Sequence, residues 1–274
     1  MKISTTNPLL ATAAIWAAST VASAQAATPS LFFPSGVTRE DVLFKTRARA
    51  AAVSIAIPGI TPLQSKPYGQ SYGEWSAHLW QWEFSLPYTA SPVFDTADCS
   101  AGQSGPVWFL GGIIVPSSTL GYTAVVNRTC AVPSGVSLLI PLMNAECSSM
   151  PFDNNGDATE SGLRSCAEGF ANLINGNTLS VAVDGAQVSG RDLGQYRAES
   201  PLFTFGPLPA DNVFNLIGIP GAGAVASSVS DGYYVMLHPL PAGVHVVHFF
   251  GEVDAPDGSL IFAQDITYHL TVGR

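Results

Sequence analysis

The chain has 274 residues, with 11 Lys and Arg against 20 Asp and Glu, a formal net charge of −9, and only 11% charged residues. An acidic surface repels phosphate backbones and anionic headgroups, which argues against nucleic acid and charged membranes as partners. Charge this sparse leaves a surface of Ser, Thr, Asn, Gly and exposed apolar groups, which admits carbohydrate or small apolar ligands.

Lys2 supplies a short basic n-region, and Leu9–Val21 is an apolar run of the length an h-region needs. Ala22-Ser-Ala24 and Ala24-Gln-Ala26 both have the A-x-A form of a cleavage site, so residues 1–26 read as a signal peptide. The apolar run has 13 residues, too few to span hydrocarbon about 30 Å thick, and no Cys follows it to carry a lipid. No later apolar run is long enough to cross either. The expected product is secreted or periplasmic, has no membrane span, and carries a net charge of −10 once Lys2 is removed.

Residues 27–66 form an N-terminal arm with few signals. Thr38 can cap a short helix with Asp41 at its third position, and Val53–Ile57 reads as a strand stopped by Pro58-Gly59. Residues 67–274 then read as one domain. Its clearest helix is Tyr72–Phe84, with Ser71 as N-cap, Glu74 completing a capping box and Pro87 as terminator. Trp75, Leu79 and Trp82 recur at i, i+4 and i+7 and form its packing face, while Glu74, His78 and Gln81 line a polar face.

From Val93 onward the pattern is β. Gly105–Val115 is a pair of apolar runs hinged at Gly111-Gly112, and Gly135–Met143 is a strand. Residues 151–166 are a polar loop, a short helix is expected over Ser165–Ile174, and Leu179–Val183 ends at the hairpin signal Asp184-Gly185. Tyr233–Leu237, Val244–Phe250, Leu260–Ala263 and Ile266–Val272 follow as strands separated by Pro/Gly turns. The expected fold is mainly β, an antiparallel β-sandwich or jelly-roll-like domain with one Trp-rich helix packed on it.

Cys99, Cys130, Cys147 and Cys166 make an even count in an exported chain, which reads as two disulfides with three connectivities open. Closure between neighbours in sequence favours Cys99–Cys130 and Cys147–Cys166. A zinc site built from the four thiolates competes poorly, since no C-x2-C pair is present.

Five segments occur together: Tyr72-Gly-Glu-Trp-Ser-Ala-x-x-Trp-x-Trp82, Gly102-Gln-Ser-Gly-Pro-Val-Trp-Phe-Leu110, Cys130-x-Val-Pro-x-Gly135, Asn144-x-Glu-Cys147 and Leu240-Pro-x-Gly243. They resemble a group of secreted bacterial proteins over roughly residues 66–272. The resemblance implies export and no particular activity, so it assigns no role to any residue.

Gly69-Gln-Ser71-Tyr-Gly73 matches the G-x-S-x-G of a nucleophile elbow, but Gln64–Tyr68 contains Pro67 and is no buried strand, so Ser71 is read as a helix cap. Glu74 and His78 lie one helical turn apart, where they can act as base and acid or simply decorate the helix. Glu146 can pair with Glu74 as a two-carboxylate site of the glycosidase kind. Glu74, His78 and Glu146 are therefore the candidate catalytic residues. Trp80 points about 100° from the packing face, so with Trp108 and Asn144 it forms the candidate ligand-binding set. Asp153, Asn155 and Asp157 resemble the first half of a calcium loop, but Ala158 and Arg164 stand where an EF-hand needs Gly and Glu. A looser calcium site there is the one cofactor the sequence offers. His245 and His248 are three apart on a strand and face opposite sides, while His248 and Glu252 share a face. Two functions remain in contention: a secreted, non-enzymatic binding or envelope-associated protein, and a secreted polysaccharide hydrolase or lyase working through carboxylates.

Overall fold

The computed structural model describes residues 11–12, 59–94, 99–115, 121–151, 153–154, 156–217 and 219–273. All of the expected signal peptide except residues 11–12, most of the arm with its helix and strand, and Asn155 lie outside the described residues. Among the described residues, besides a two-residue ladder between residues 11–12 and 114–115, ten strands form two five-stranded sheets, with two α-helices. The mainly β sandwich expected from the strand pattern is the fold observed.

In chain order the elements are α1 (Tyr72–Ser85), β1 (Val107–Phe109), β2 (Tyr122–Val132), β3 (Ser137–Ser148), α2 (Glu160–Ala171), β4 (Ser180–Val183) and β5 (Ala186–Ser189). They continue with β6 (Arg197–Glu199), β7 (Phe203–Phe205), β8 (Ala226–Leu237), β9 (Gly243–Asp254) and β10 (Leu260–Val272). The first sheet runs β1-β3-β8-β6, with β7 also pairing along β8. The second runs β2-β10-β9-β4-β5. Each sheet carries one parallel pairing, β1 with β3 and β2 with β10, so the antiparallel pattern expected from the turn signals holds elsewhere only.

The main core lies between the sheets, where Leu139, Met143, Val247, Phe249, Ile266 and Tyr268 are almost fully buried. All twelve residues of β3 are buried: it runs between β1 and β8 inside the first sheet, the second sheet faces it across the core, and α2 packs on its Ala145 and Cys147. Such a strand reads as a nearly continuous apolar run, which is how Gly135–Met143 stood out. Strands β9 and β10 alternate between buried and less buried positions, as sheets with one solvated face do.

Strand β2 also alternates in burial, yet its residue types conceal it. Val125 is exposed, whereas Arg128 is buried. Arg128 Nη1 donates to the carbonyls of Gly111 and Gly112, each at 2.8 Å, and to Tyr268 Oη at 2.7 Å. The guanidinium also lies 5.4 Å from the centre of the Tyr268 ring, a cation–π distance.

Helix α1 opens with the expected capping box, Ser71 Oγ accepting from Glu74 N while Glu74 accepts from Ser71 N. Helix α2 starts five residues earlier than expected because Thr159 caps it by accepting from Gly162 N. Both favoured disulfides are present: Cys99–Cys130 fastens the chain before β1 to β2, and Cys147–Cys166 staples β3 to α2.

Candidate functional site

Helix α1 separates the sequence candidates into two groups. Its underside rests on the outer face of the first sheet over a polar seam. Ser76 and Ser230 share a 3.1 Å hydrogen bond there, and Ser230 sits directly opposite Glu146 in the β3–β8 register. The Tyr234 hydroxyl lies among Ser76, Trp80 and Ser230, and burial pushes its pKa well up. Glu146 accepts from Ser228 Oγ and is 1% exposed. Its carboxyl meets that of Asp153, which accepts from both Ser148 N and Ser148 Oγ. Burial raises both carboxyls, Asp153 to about 8, and the further charge facing Glu146 is Glu83 of α1, itself raised by burial to about 8 with Arg128 only partly offsetting the rise.

Trp80, Asn144, Glu146 and Asp153 thus gather around one buried seam, although the sequence assigned them three different roles. Trp80 is 2% exposed and stacks near Phe84, with ring centres 5.3 Å apart. The step of about 100° from the packing face carries it not outward but onto a second apolar cluster with Val93, Phe205 and Phe214. Asn144 and Trp108 are buried as well. None of the three ligand-binding candidates presents a surface to solvent.

Glu74 and His78 occupy the other side. Ser76 points down at the sheet, and Glu74, two residues earlier, stands about 200° round the helix. Glu74 is exposed and takes 2.7 Å contacts from Ser71 N and Oγ, which hold its carboxyl below the usual range. His78 Nδ1 shares a 3.0 Å hydrogen bond with Gln81 Oε1, and its ring lies 5.4 Å from Trp75. Glu74 and Glu146 therefore do not face a common space.

The acidic loop divides in the same way. Asp153 turns inward to Ser148, while Asp157 accepts from Thr159 N and Oγ1 at the start of α2. Among the described residues no three His, Cys, Asp or Glu side chains gather as a metal-binding group. Of the C-terminal histidines, His248 pairs with Asp265 at 2.7 Å rather than with Glu252, whose neighbours are Asn175 and Asp254.

Among the described residues, an open site lies elsewhere, at the N-terminal end of α1. A cleft of about 360 Å³ runs between the turn before the helix and the end of β8. Its base is set by pairing: Thr61 N donates to Met236 O, and His238 N donates to Gly59 O. Tyr72 Oη ties the same strands to the helix, donating to Thr61 O and accepting from Met236 N. Buried Thr61 and Ser137 lie deepest, Pro62, Pro67 and Pro239 contribute apolar surface, and Ser65, Lys66, Tyr68 and His238 complete the lining.

Tyr68 is the unusual member. Its backbone sits at φ 55°, ψ 28°, in the left-handed region that costs a non-glycine residue about 1–2 kcal/mol. Several contacts hold it there. Trp75 Nε1 donates to Pro67 O at 3.0 Å, and the Tyr68 ring stands edge-on to Trp75 at 6.3 Å. The Tyr68 hydroxyl shares a 3.0 Å hydrogen bond with Ser137 Oγ. The residue nevertheless remains 48% exposed. Strain held in place by surrounding contacts is characteristic of ligand clamps. The segment Lys66-Pro-Tyr-Gly69 carried a readable turn signal, but nothing in the sequence brings His238 and Ser137 to it.

No family model matches the chain, and no curated protein matches it. Among solved structures, the cysteine protease inhibitor EhICP2 from Entamoeba histolytica aligns over 55% of this chain and 96% of its own, at 11% identity and a TM-score of 0.18. PbICP-C, solved in complex with falcipain-2, aligns over 62% of this chain and 100% of its own, at 10% identity and a TM-score of 0.22. At these TM-scores neither likeness carries an argument about this chain.

Proposed function

We propose that this is a secreted, non-enzymatic binding protein whose ligand occupies the cleft between the Lys66–Tyr68 turn and His238. The observation that carries the reading is Tyr68: a half-exposed aromatic residue, fixed by Ser137 and Trp75 at a positive φ that residues other than glycine seldom adopt. A rigid aromatic beside prolines and hydroxyls supplies stacking surface and hydrogen bonds with little ordering on binding. Two disulfides suit an oxidising compartment. The hydrolase reading needs two carboxyls across one substrate, and Glu74 and Glu146 lie on different sides of α1.

The test is a broad glycan array probed with the mature protein, followed by Tyr68→Ala. Binding to one ligand class, weakened about tenfold in Tyr68→Ala, is the expected result. Cleavage of any array member, or binding indifferent to Tyr68, would overturn the proposal.

A further inference from the structure

We infer that the cleft takes a carboxylated sugar ring, a single uronate unit of an acidic polysaccharide. This rests on the binding-protein reading above and adds the class of ligand. Three features of the lining support it.

The first is charge. The whole chain has 20 acidic against 11 basic residues, yet the nine residues lining the cleft include Lys66 and His238 and not one carboxylate. A cationic pocket on an acidic protein selects an anion against the field of the rest of the surface, and only a short-range contact can do that. The Glu74 carboxylate feels Lys66 but is turned into the helix cap by Ser71. The second feature is size. A cleft of about 360 Å³ lies at the small end of ligand sites, which run from about 300 to 1,000 Å³, so it accommodates one ring rather than a chain. The cleft is open to solvent rather than enclosed.

The third feature is the mixture of surfaces. Thr61, Ser65, Ser137 and Tyr68 each bring a hydroxyl, while the Tyr68 ring and the flanking prolines present apolar faces. A sugar ring has the matching mixture, hydroxyls at its edge and C–H groups on its faces. A bare inorganic anion would use Lys66 and leave the aromatic face idle.

The probes are tetragalacturonate and neutral maltotetraose, titrated calorimetrically into the disulfide-intact mature protein. The acidic oligomer is expected to bind at least tenfold more tightly, to weaken as salt is raised, and to lose about tenfold in Lys66→Ala. Near-UV circular dichroism of that variant confirms that it is folded, and His238→Ala gives a second reading at the same cleft. Equal affinity for the two oligomers, with both lost in Tyr68→Ala, would overturn the uronate assignment and leave the binding cleft standing. Acidic binding untouched by Lys66→Ala, His238→Ala and Tyr68→Ala would overturn both. No binding of tetragalacturonate would overturn the assignment as well.

Discussion

The imidazole of His245 spans two acceptors, with Nδ1 at 2.7 Å from Asp184 Oδ2 and Nε2 at 2.9 Å from the carbonyl oxygen of Pro241. A carbonyl and a carboxylate can only accept, so both ring nitrogens must carry protons. The geometry specifies the imidazolium. Asp184 closes the hook by accepting from Val246 N at 2.9 Å, which ties the β4–β5 turn to β9.

This contact makes stability depend on pH. The Asp184 carboxylate and the Pro241 carbonyl raise the His245 pKa above its ordinary value. A raised histidine contributes stability that is fully present below its unfolded value, near about 6.5, and lost as pH rises through the folded value. Asp184 is well exposed, so solvent screening keeps the contribution under about 1 kcal/mol. Urea denaturation from pH 5 to 9 should show that decline in the wild type and a flatter profile in Asp184→Asn. Asn tolerates the left-handed backbone of residue 184, φ 50°, so the variant keeps the turn. Identical profiles would remove the imidazolium from the account.

The buried pair Glu146–Asp153 predicts a second pH dependence. Both carboxyls are raised by burial, and two such groups in contact hold a proton between them. Raised acids bind more protons folded than unfolded, so their contribution is greatest below about 4 and falls as pH approaches the Asp153 value of about 8. Glu146→Gln keeps an acceptor for Ser228 and offers Asp153 an amide N–H in place of the shared proton. The variant should be more stable than the wild type by about 1–2 kcal/mol at pH 8, with the advantage gone by pH 4. Glu83 is also raised but is present in both proteins, so the difference between them isolates the pair. A constant difference across the range would refute the shared proton.

Much of the fold was legible because local rules and tertiary packing agree. The α1 cap, the buried run of β3 and the short closures between cysteines each express one local preference, and the structure keeps them. Strand β2 was not legible, because Arg128 finds its partners on Gly111, Gly112 and Tyr268, all distant in sequence. The site was harder for the same reason. Trp80 and Glu146 share a seam only because Ser76 meets Ser230 across 154 residues, and the cleft needs Tyr68 to meet Ser137 across 69. Periodicity along one helix shows which side chains share its face but not which sheet will cover that face.

Each disulfide closes a loop whose length sets its stabilising effect. The sequence separations are 31 for Cys99–Cys130 and 19 for Cys147–Cys166, which in the chain-entropy model correspond to about 3 kcal/mol apiece. Cys147→Ser with Cys166→Ser should therefore lower the unfolding free energy by about 3 kcal/mol while leaving Cys99–Cys130 oxidised. α2 loses its covalent tie to β3 but keeps the packing of Leu163, Ala167 and Phe170 on Ala145 and Val229. A mass-mapped variant whose urea midpoint equals that of the wild type would contradict this.

Gly73 supplies the last prediction, because its sign runs against propensity. An exposed helical glycine replaced by alanine ordinarily gains about 0.5–1 kcal/mol. Here a Cβ would lie 2.2 Å from the carbonyl oxygen of Glu199 and 3.2 Å from its carbonyl carbon, so α1 is seated directly on the backbone of β6. Backbone cannot swing aside as a side chain can, and Arg164 holds Glu199 from the other direction through an ion pair. The helix must lift or β6 must leave β8, and overpacking of this kind costs about 1–3 kcal/mol, which outweighs the propensity gain. Gly73→Ala should be destabilised by that amount in urea denaturation. Because Tyr72 ties the same turn to Thr61 and Met236, it should also weaken ligand binding at the Tyr68 cleft. A variant as stable as the wild type would mean that α1 does not sit against β6 as described.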